Sequence, residues 1–318
     1  MLRPTLRHRL EYGLFRTVEG LVRGLPYPTA LALGRGLGRA FWLLDARHRR
    51  VVRENLRDAG IQLTEPEVRR LGRDCFAHFG SLLLGTLRLM RMEAEELDRW
   101  VRVEGLEHFD AAAGGGKGFI QLTGHYGHWE ATALAQSRHG RALAVIAREL
   151  DNPLLEPELA RLRTRFGNTV ISKDGAVRDT LKALRAGRGV GFLLDQDALT
   201  RGIFVRFLGS WASTFATAGS LAARYELPVL PVFSWPNEDD TVTVRFEAPF
   251  RVPATGDADR DAWTATQLMA ARIEAQILKD PRWWFWMHRR FKTRPGEGDP
   301  LPAPLPPPEW LESLAALS

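Results

Sequence analysis

Residues 118–130 are Gly118-Phe119-Ile120-Gln121-Leu122-Thr123-Gly124-His125-Tyr126-Gly127-His128-Trp129-Glu130, and they contain a change from strand to helix. The short, mostly apolar run at 118–122 predicts a buried strand, and a helix is expected from about 128 to 138. The glycine-containing residues between them predict a turn. We therefore expect His125 to lie at the carboxyl end of a strand, with Glu130 about one turn into the next helix.

Short apolar runs and helical segments continue to alternate from residue 100 to about residue 280. Further strands are predicted at 143–147, 169–171, 190–194, 229–233 and 241–246, and further helices at about 153–166, 175–187, 213–225 and 260–279. This order is typical of an α/β fold, in which a mainly parallel sheet carries helices on its faces. Ligands of such sheets bind at the carboxyl ends of the strands, which is where His125 is expected.

The composition excludes several classes of protein. The chain has 318 residues, of which 45% are hydrophobic and 26% charged, so it is neither wholly disordered nor a collagen-like fibre. Its one cysteine, Cys75, excludes a disulfide scaffold and a multi-cysteine metal site, and a reducing compartment is the simplest interpretation. Cys75 lies on the apolar stripe of a predicted helical segment at 65–99, and we expect it to be unreactive core.

The positive charge is concentrated near the N-terminus. The whole chain carries a formal charge of +6, whereas residues 1–60 contain twelve arginines and five acidic residues, a balance of +7. A basic region of this kind indicates an anionic partner, which could be phospholipid headgroups, nucleic acid or an acidic carrier protein.

Two helices are predicted within this basic region, at 8–25 and about 29–44. Apolar residues recur on one face of the first helix, at Leu10, Leu14, Val18, Leu21, Val22 and Leu25. An apolar face bordered by arginines is typical of a helix in a membrane interface, although a helix that packs on the protein has the same pattern. No run approaches the roughly 20 apolar residues of a spanning helix, so we expect a soluble or monotopic protein.

The pair His125 and Glu130 indicates acid–base chemistry. A carboxylate on one imidazole nitrogen fixes the tautomer and makes the other nitrogen a better base, which could deprotonate a substrate hydroxyl. Two other interpretations stay open on the residues alone. The histidine could be structural, or His125, His128 and Glu130 could bind zinc, although their spacing is not that of a helical zinc motif.

The segment Gly124-His125-Tyr126-Gly127-His128-Trp129-Glu130 resembles the His-x4-Asp/Glu motif of glycerolipid and lipid A acyltransferases. Further landmarks follow in that family's order: Arg148 with Asp151-Asn152-Pro153-Leu154, Arg163-Thr164-Arg165-Phe166-Gly167, Asp195-Gln196-Asp197, Phe204-Val205-Arg206-Phe207-Leu208-Gly209, Pro228-Val229-Leu230-Pro231-Val232-Phe233 and Trp286-Met287-His288-Arg289-Arg290-Phe291-Lys292-Thr293-Arg294-Pro295. The last closely resembles the terminal signature of the lauroyl/myristoyl branch of lipid A biosynthesis acyltransferases. The resemblance covers nearly the whole chain.

This resemblance implies a glycerolipid acyltransferase-like fold, with a twisted, mainly parallel α/β sheet preceded by N-terminal interfacial helices. The implied organisation is a membrane-associating helical region at 1–100, an acyltransferase domain at 101–295 and a proline-rich tail at 296–318. The family transfers a fatty acyl chain from an acyl carrier protein or coenzyme A thioester to a lipid hydroxyl. On this basis His125 is the general base and Glu130 its orienting partner, and substrate-binding roles are expected for Arg148, Arg163, Asp195, Asp197 and Arg289.

The resemblance also implies the surroundings of the reaction. No metal and no cofactor beyond the acyl thioester is expected, and the expected partners are acyl carrier protein, an anionic membrane surface and a glycolipid acceptor, with no nucleic acid. The expected location is the cytoplasmic face of the inner membrane, in peripheral or monotopic association. Three other functions stay open: acylation of another membrane lipid such as a phosphatidylinositol mannoside, thioester or lipid hydrolysis, and lipid binding without catalysis.

Overall fold

The computed structural model describes residues 4–147, 149–172, 176–252, 254–297 and 301. Its α-helices are α1 (Leu6–Arg23), α2 (Tyr27–Leu44), α3 (Ala46–Asp58), α4 (Glu65–Leu89), α5 (Ala94–Trp100), α6 (Leu106–Ala113), α7 (Trp129–Arg138), α8 (Glu156–Thr164), α9 (Ala176–Arg185), α10 (Thr217–Arg224) and α11 (Ala258–Lys279). Its strands are β1 (Val101–Glu104), β2 (Phe119–Thr123), β3 (Ala144–Ala147), β4 (Thr169–Ser172), β5 (Gly189–Leu193), β6 (Ile203–Phe207), β7 (Ser210–Thr214), β8 (Val229–Pro236) and β9 (Val242–Phe246).

Seven strands form one sheet in the order β1-β9-β8-β2-β5-β3-β4. The five strands from β8 to β4 are parallel to their neighbours, whereas β9 pairs antiparallel with β8 and β1 runs parallel to β9. The central strand β2 is completely buried, which accounts for its continuous apolar character in the sequence. The predicted α/β fold, a mainly parallel sheet with flanking helices after an N-terminal helical segment, is confirmed.

The register between β2 and β5 determines where the loops that carry His125 and Asp195 begin. Thr123 at the end of β2 pairs with Leu193 at the end of β5. Because the two strands are parallel neighbours, the residues that follow them leave the sheet at the same edge and at the same level. His125 and Asp195 each lie two residues beyond this last pair.

The N-terminal helices pack closely on one another and on the sheet. Helices α2 and α4 approach so closely at Gly34, Gly38 and Gly80 that an added Cβ on any of them would collide with the backbone of the facing helix. Residues of α2, α3 and α4 also belong to the same apolar cluster as the strands, and Trp42, Val52 and Phe76 are among them. The division at residue 100 stays a prediction, and residues 298–300 and 302–318 of the predicted tail lie outside the described residues.

Two parts of the fold differ from the sequence prediction. The basic residues after α2 belong to a further helix, α3, whose Val51, Val52 and Leu56 are buried. The helix predicted at 213–225 starts only at Thr217, because the residues before it form the second strand of the β6–β7 hairpin. Strand β1 and helix α6 were also not predicted.

Helix α1 has one face on the protein and one in solvent. Val18, Val22 and Leu25 contribute to a small apolar cluster with α4, whereas Leu10 and Leu14 are each 67% exposed. The apolar residues that the sequence analysis placed on one face of this helix therefore lie on two faces. Only one of these faces packs on the protein. Leu6 and Leu21 continue the exposed stripe along the helix, and Phe41, Leu43 and Leu44 are exposed at the end of α2. Among the described residues, we find no helix whose length and hydropathy suffice to cross a membrane.

Candidate active site

His125 and Asp195 meet at the edge where β2 and β5 end. The Asp195 carboxylate accepts two hydrogen bonds from His125, one from the backbone N–H at 2.6 Å and one from ring atom Nδ1 at 2.8 Å. Asp195 is 2% exposed, so this carboxylate has almost no contact with water. Burial alone would raise the pKa of Asp195, but the charge and the N–H groups of His125, together with Trp284, lower it below the usual value.

This arrangement assigns the two nitrogens of the imidazole different roles. Since Asp195 is ionised and accepts from Nδ1, the proton of neutral His125 lies on Nδ1 and the lone pair on Nε2. Nε2 faces the side-chain amide nitrogen of Gln196 at 3.3 Å, which donates to it. The His125 side chain is 19% exposed, so its ring is held firmly and is still open to a substrate on one side.

A segment close to the C-terminus completes the support of this pair. The indole Nε1–H of Trp284 donates to Asp195 at 2.8 Å, and the backbone N–H of Phe285 donates to the carbonyl of His125 at 3.1 Å. Asn55 on α3 holds the same segment, because its side-chain amide donates to the carbonyls of Trp286 and His288. The contacts of Trp284 with Asp195 and of Gln196 with His125 were not predicted from the sequence.

Gly127 allows the loop after β2 to turn back toward α7. Its φ is +58°, in the left-handed region that side chains disfavour, and an added Cβ would collide with the carbonyl of Ser234 on β8. Its own backbone N–H donates to the carbonyl of Trp283 at 2.9 Å. Glycine is therefore needed at position 127 because the backbone there lies tightly between β8 and the segment that contains Trp283.

The predicted hydrogen bond between His125 and Glu130 is wrong for this structure. Glu130 is turned toward Arg163 on α8, which donates to its two carboxylate oxygens from Nη2 at 2.5 Å and from Nε at 3.1 Å. Both side chains are largely buried, and among the described contacts His125 and Glu130 share neither a hydrogen bond nor an ion pair. A planar guanidinium that satisfies both oxygens competes better for a carboxylate than a single imidazole N–H does.

His128 does not join His125 in a shared site. It is the N-cap of α7, where its Nδ1 accepts from the backbone N–H of Ala131 at 3.3 Å, and burial lowers its pKa to about 4. Because Glu130 faces Arg163, the three residues considered as zinc ligands do not converge. In the described part of the chain, no group of three or more His, Cys, Asp and Glu side chains is arranged to hold a metal ion.

The remaining predicted site residues have different surroundings. Asp197 lies on the same loop as Asp195, and its carboxylate accepts from the Thr293 hydroxyl at 2.9 Å. Arg289 is exposed, with Glu54 of α3 at 3.8 Å. Arg290, by contrast, is fully buried and donates to the carbonyl of Gln196, so it supports the loop and does not reach the margin of the site. Arg148 lies outside the described residues.

Cys75 is also where the sequence placed it. It is fully buried in the apolar core, and burial raises the pKa of its thiol to about 12, which keeps it protonated and unreactive at neutral pH.

The sequence of this chain matches a known protein family. The family model described as "Bacterial lipid A biosynthesis acyltransferase" matches residues 4–293. The chain belongs to this family. The lipid A acyltransferase relatives include a lipid A biosynthesis acyltransferase of Haemophilus influenzae, which is 30% identical over 87% of this chain and 88% of its own length.

Two further lipid A acyltransferase relatives come from Escherichia coli K12. The lipid A biosynthesis lauroyltransferase is 27% identical over 88% of this chain and 90% of its own length. The lipid A biosynthesis myristoyltransferase is 24% identical over 86% of this chain and 83% of its own length. The family and the enzyme class predicted from the sequence, an O-acyltransferase of the lipid A biosynthesis type, are thereby confirmed.

Proposed function

We propose that this enzyme transfers a fatty acyl chain from an acyl carrier protein or coenzyme A thioester to a hydroxyl of a lipid A-type glycolipid. The single observation that carries the proposal is His125, whose Nδ1 is held by buried Asp195 and whose Nε2 is left for a substrate. The family supports acyl transfer and a glycolipid acceptor. The thioester donor rests on the family resemblance, and the roles of the residues rest on the geometry of the site.

His125 acts as the general base in this proposal. Nε2 takes the proton of the acceptor hydroxyl, in the place where the Gln196 amide lies now, and the oxygen attacks the carbonyl carbon of the thioester. The C–S bond of the tetrahedral intermediate then breaks, an ester remains on the glycolipid, and the thiol leaves with the proton from the imidazolium. The reaction balances without a redox partner, which agrees with the expectation that no cofactor or metal takes part.

Asp195 takes the orienting role that the sequence analysis gave to Glu130. Its ionised carboxylate holds the Nδ1–H tautomer and stabilises the imidazolium that forms during the reaction. Glu130 acts through Arg163 instead. Their bidentate pair joins the first turn of α7 to the last turn of α8 and thereby positions the helix that follows the His125 loop. Substrate-binding roles for Arg148, Arg163, Asp197 and Arg289 remain part of the proposal.

The exposed apolar stripe of α1 provides a means of reaching a lipid acceptor. Leu6, Leu10, Leu14 and Leu21 are exposed among the residues that the structure describes, and arginines border the helix. Such a surface would insert its leucines among acyl chains while the arginines contact anionic headgroups. We propose peripheral or monotopic association with the cytoplasmic face of the inner membrane, where an acidic acyl carrier protein could also dock on the basic N-terminal region.

The test is an acyl-transfer assay with purified full-length enzyme. Acyl carrier protein and coenzyme A thioesters are offered with a lipid A-type glycolipid, with a phosphatidylinositol mannoside and without acceptor. An ester on the lipid A-type glycolipid, unaffected by a metal chelator, supports the proposal. Release of free fatty acid at the same rate with and without acceptor would show a thioesterase. Acylation of the mannoside alone would show a different acceptor, and binding of either lipid without turnover would show a lipid-binding protein.

A further inference from the structure

A cavity of about 330 Å³ lies between the start of α3 and the segment that follows Trp286. Its charged and ionisable lining consists of Arg47, His48, Asp197, His288, Arg289 and Lys292. In the sequence, Arg47 and His48 are only part of the basic N-terminal region, whereas the structure makes them one wall of a concave site.

Two of the three Arg and Lys side chains that line this cavity lack an acidic partner among the described residues. Within the described residues, neither Arg47 nor Lys292 has an ion pair with an acidic side chain, and the nearest acidic oxygen to Arg289 is 3.8 Å away on Glu54. His48 is paired with Asp45 at 2.6 Å. Cations that gather in a concavity without acidic partners attract an anion, and guanidinium groups suit the oxygens of a phosphate in particular.

The one acidic residue of the lining, Asp197, offsets only one of the three positive charges of Arg47, Arg289 and Lys292. The Asp197 carboxylate already accepts hydrogen bonds from the Thr293 hydroxyl at 2.9 Å and from the backbone N–H of Leu199 at 3.2 Å. His288 contributes no charge at neutral pH, because burial lowers its pKa and its Nε2 accepts from the backbone N–H of Asp197 at 3.0 Å. The cavity therefore keeps a net positive charge.

The cavity and the catalytic pair share one loop of the chain. Consecutive residues of one loop face the two sites: Asp195 and Gln196 contact His125, and Asp197 lines the cavity. An amphiphile whose anionic group sits in the cavity could therefore present a hydroxyl to Nε2 of His125 while still bound.

The apolar end of α2 directly precedes, in the chain, the start of α3 that forms one wall of the cavity. Leu43 and Leu44 are 74% and 80% exposed, and Arg47 of the cavity lining lies three residues after Leu44 in the sequence. An apolar helix end followed closely by the wall of a cationic cavity fits the boundary between acyl chains and phosphorylated headgroups at a membrane surface. This position favours a phosphate carried by a membrane lipid over one carried by a soluble thioester.

We propose that this cavity binds a phosphate group of the glycolipid acceptor and thereby places the acceptor hydroxyl at His125. The inference rests on the proposed function, since it assigns a subsite to that acceptor. The phosphodiester of the donor's pantetheine arm has the same chemistry, and the experiment separates the two sources.

The experiment compares R47Q/K292Q with wild type in detergent micelles, as full-length enzyme. Both side chains are exposed, so the variant is expected to fold normally. The acceptors are a phosphorylated lipid A-type glycolipid and the same lipid after phosphatase treatment. The donors are an acyl-coenzyme A and the matching acyl-pantetheine without phosphate. R178Q/K182Q on α9 removes the same two charge types from an exposed surface elsewhere and is the matched control.

We expect R47Q/K292Q to raise the KM for the phosphorylated acceptor about tenfold, the usual effect of losing charge-assisted hydrogen bonds. The KM values for the dephosphorylated acceptor and for both donors should stay within about twofold of wild type, as should all values of the control. A change confined to acyl-coenzyme A would place the donor phosphate in the cavity and overturn the inference, and so would unchanged KM values. If wild type acylates neither glycolipid, the proposed function itself fails, which this readout separates from failure of the subsite.

Discussion

Asp195 binds His125 through both the backbone N–H and the ring Nδ1–H, although 70 residues separate them in the chain. This double contact fixes the position of the loop and the orientation of the ring at once. It also means that the side chain that orients the imidazole comes from the loop after a neighbouring strand of the sheet. We therefore expect substitution of Asp195 to impair catalysis more than substitution of Glu130.

Replacement of either member of this pair should impair acyl transfer. His125→Ala removes the base, and we expect a loss of about 100-fold or more in kcat. Asp195→Asn keeps the shape of the side chain but offers an amide N–H to Nδ1, which favours the wrong tautomer of the imidazole, and a loss of similar size is expected. Steady-state kinetics with a saturating acceptor measure both. Near-wild-type turnover of His125→Ala would overturn the mechanism.

Glu130 and Arg163 should behave as a structural ion pair. Because both side chains are largely buried, Glu130→Gln or Arg163→Met leaves one charge without its partner and should lower the free energy of unfolding by about 3 kcal/mol. The double variant E130Q/R163M should cost less than the sum of the two single changes, which a double-mutant cycle in urea unfolding measures. Additive effects would contradict a direct pairing.

The pH profile of kcat/KM distinguishes the two carboxylates. Asp195→Asn removes the negative charge beside the imidazole, so the acid limb of the profile should move to lower pH. Glu130→Gln should lower activity without moving that limb, because its contact is Arg163. If the acid limb moved equally in the two variants, the result would indicate that Glu130 does interact with His125.

The leucine stripe of α1 should control membrane binding. Burial of the Leu14 side chain among acyl chains should contribute about 1.5–3 kcal/mol to the free energy of membrane binding. Leu14→Glu replaces it with a charge, so partition into anionic vesicles should fall at least about tenfold. Leu278→Glu on α11 is the matched control, since Leu278 is also an exposed leucine on a helix but lies far from α1 in the chain. Co-sedimentation with vesicles gives the partition. An equal decrease in both variants would exclude α1 as the docking helix.

Acid should destabilise the fold through two buried histidines. Burial lowers the pKa of His78 and of His128 to about 4, whereas the unfolded chain takes up these protons near pH 6.5. Between these pH values the unfolded state binds more protons, so the free energy of unfolding falls by about 1.4 kcal/mol per pH unit for each histidine as the pH falls.

His78→Gln tests this dependence. Glutamine can still donate to the carbonyl of Gly127, as His78 does at 3.2 Å, but it cannot titrate. The free energy of unfolding is measured in urea between pH 7 and pH 4.5. As the pH falls, it should decrease by about 1.4 kcal/mol per pH unit less in His78→Gln than in wild type. His139→Gln, at an exposed position, is the control for loss of a histidine. A slope identical to that of wild type in His78→Gln would contradict the assignment.

Most of the sheet was predictable, because its buried strands are short apolar runs separated by turns. Strand β2 was expected at 118–122 and lies at Phe119–Thr123, one residue later. The β6–β7 hairpin was missed for a physical reason. Its second strand, Ser210–Thr214, is rich in small and hydroxyl-bearing residues, so no alternation of apolar and polar side chains distinguishes it from the helix that follows.

The sequence predicted His125 and Asp195 at the ends of strands, but it did not predict that they pair. Sequence proximity suggested that Glu130 holds His125, yet Glu130 lies on α7 within reach of a guanidinium on α8, and this tertiary contact prevails. The useful signal was topological. Asp195 follows the strand at 190–194, and it becomes a neighbour of His125 only if that strand lies beside the strand at 118–122. Strand order cannot be read from local periodicity.

The clamp formed by Trp284 and Phe285 has a consequence for biosynthesis. Asp195 receives its indole hydrogen bond, and the His125 loop its backbone partner, from residues near the very end of the matched family region. A growing chain on the ribosome therefore carries both members of the pair long before it carries their support. In the proposed mechanism, competence to react with acyl thioesters should therefore arise only after Trp284 and Phe285 have been synthesised and have left the ribosome.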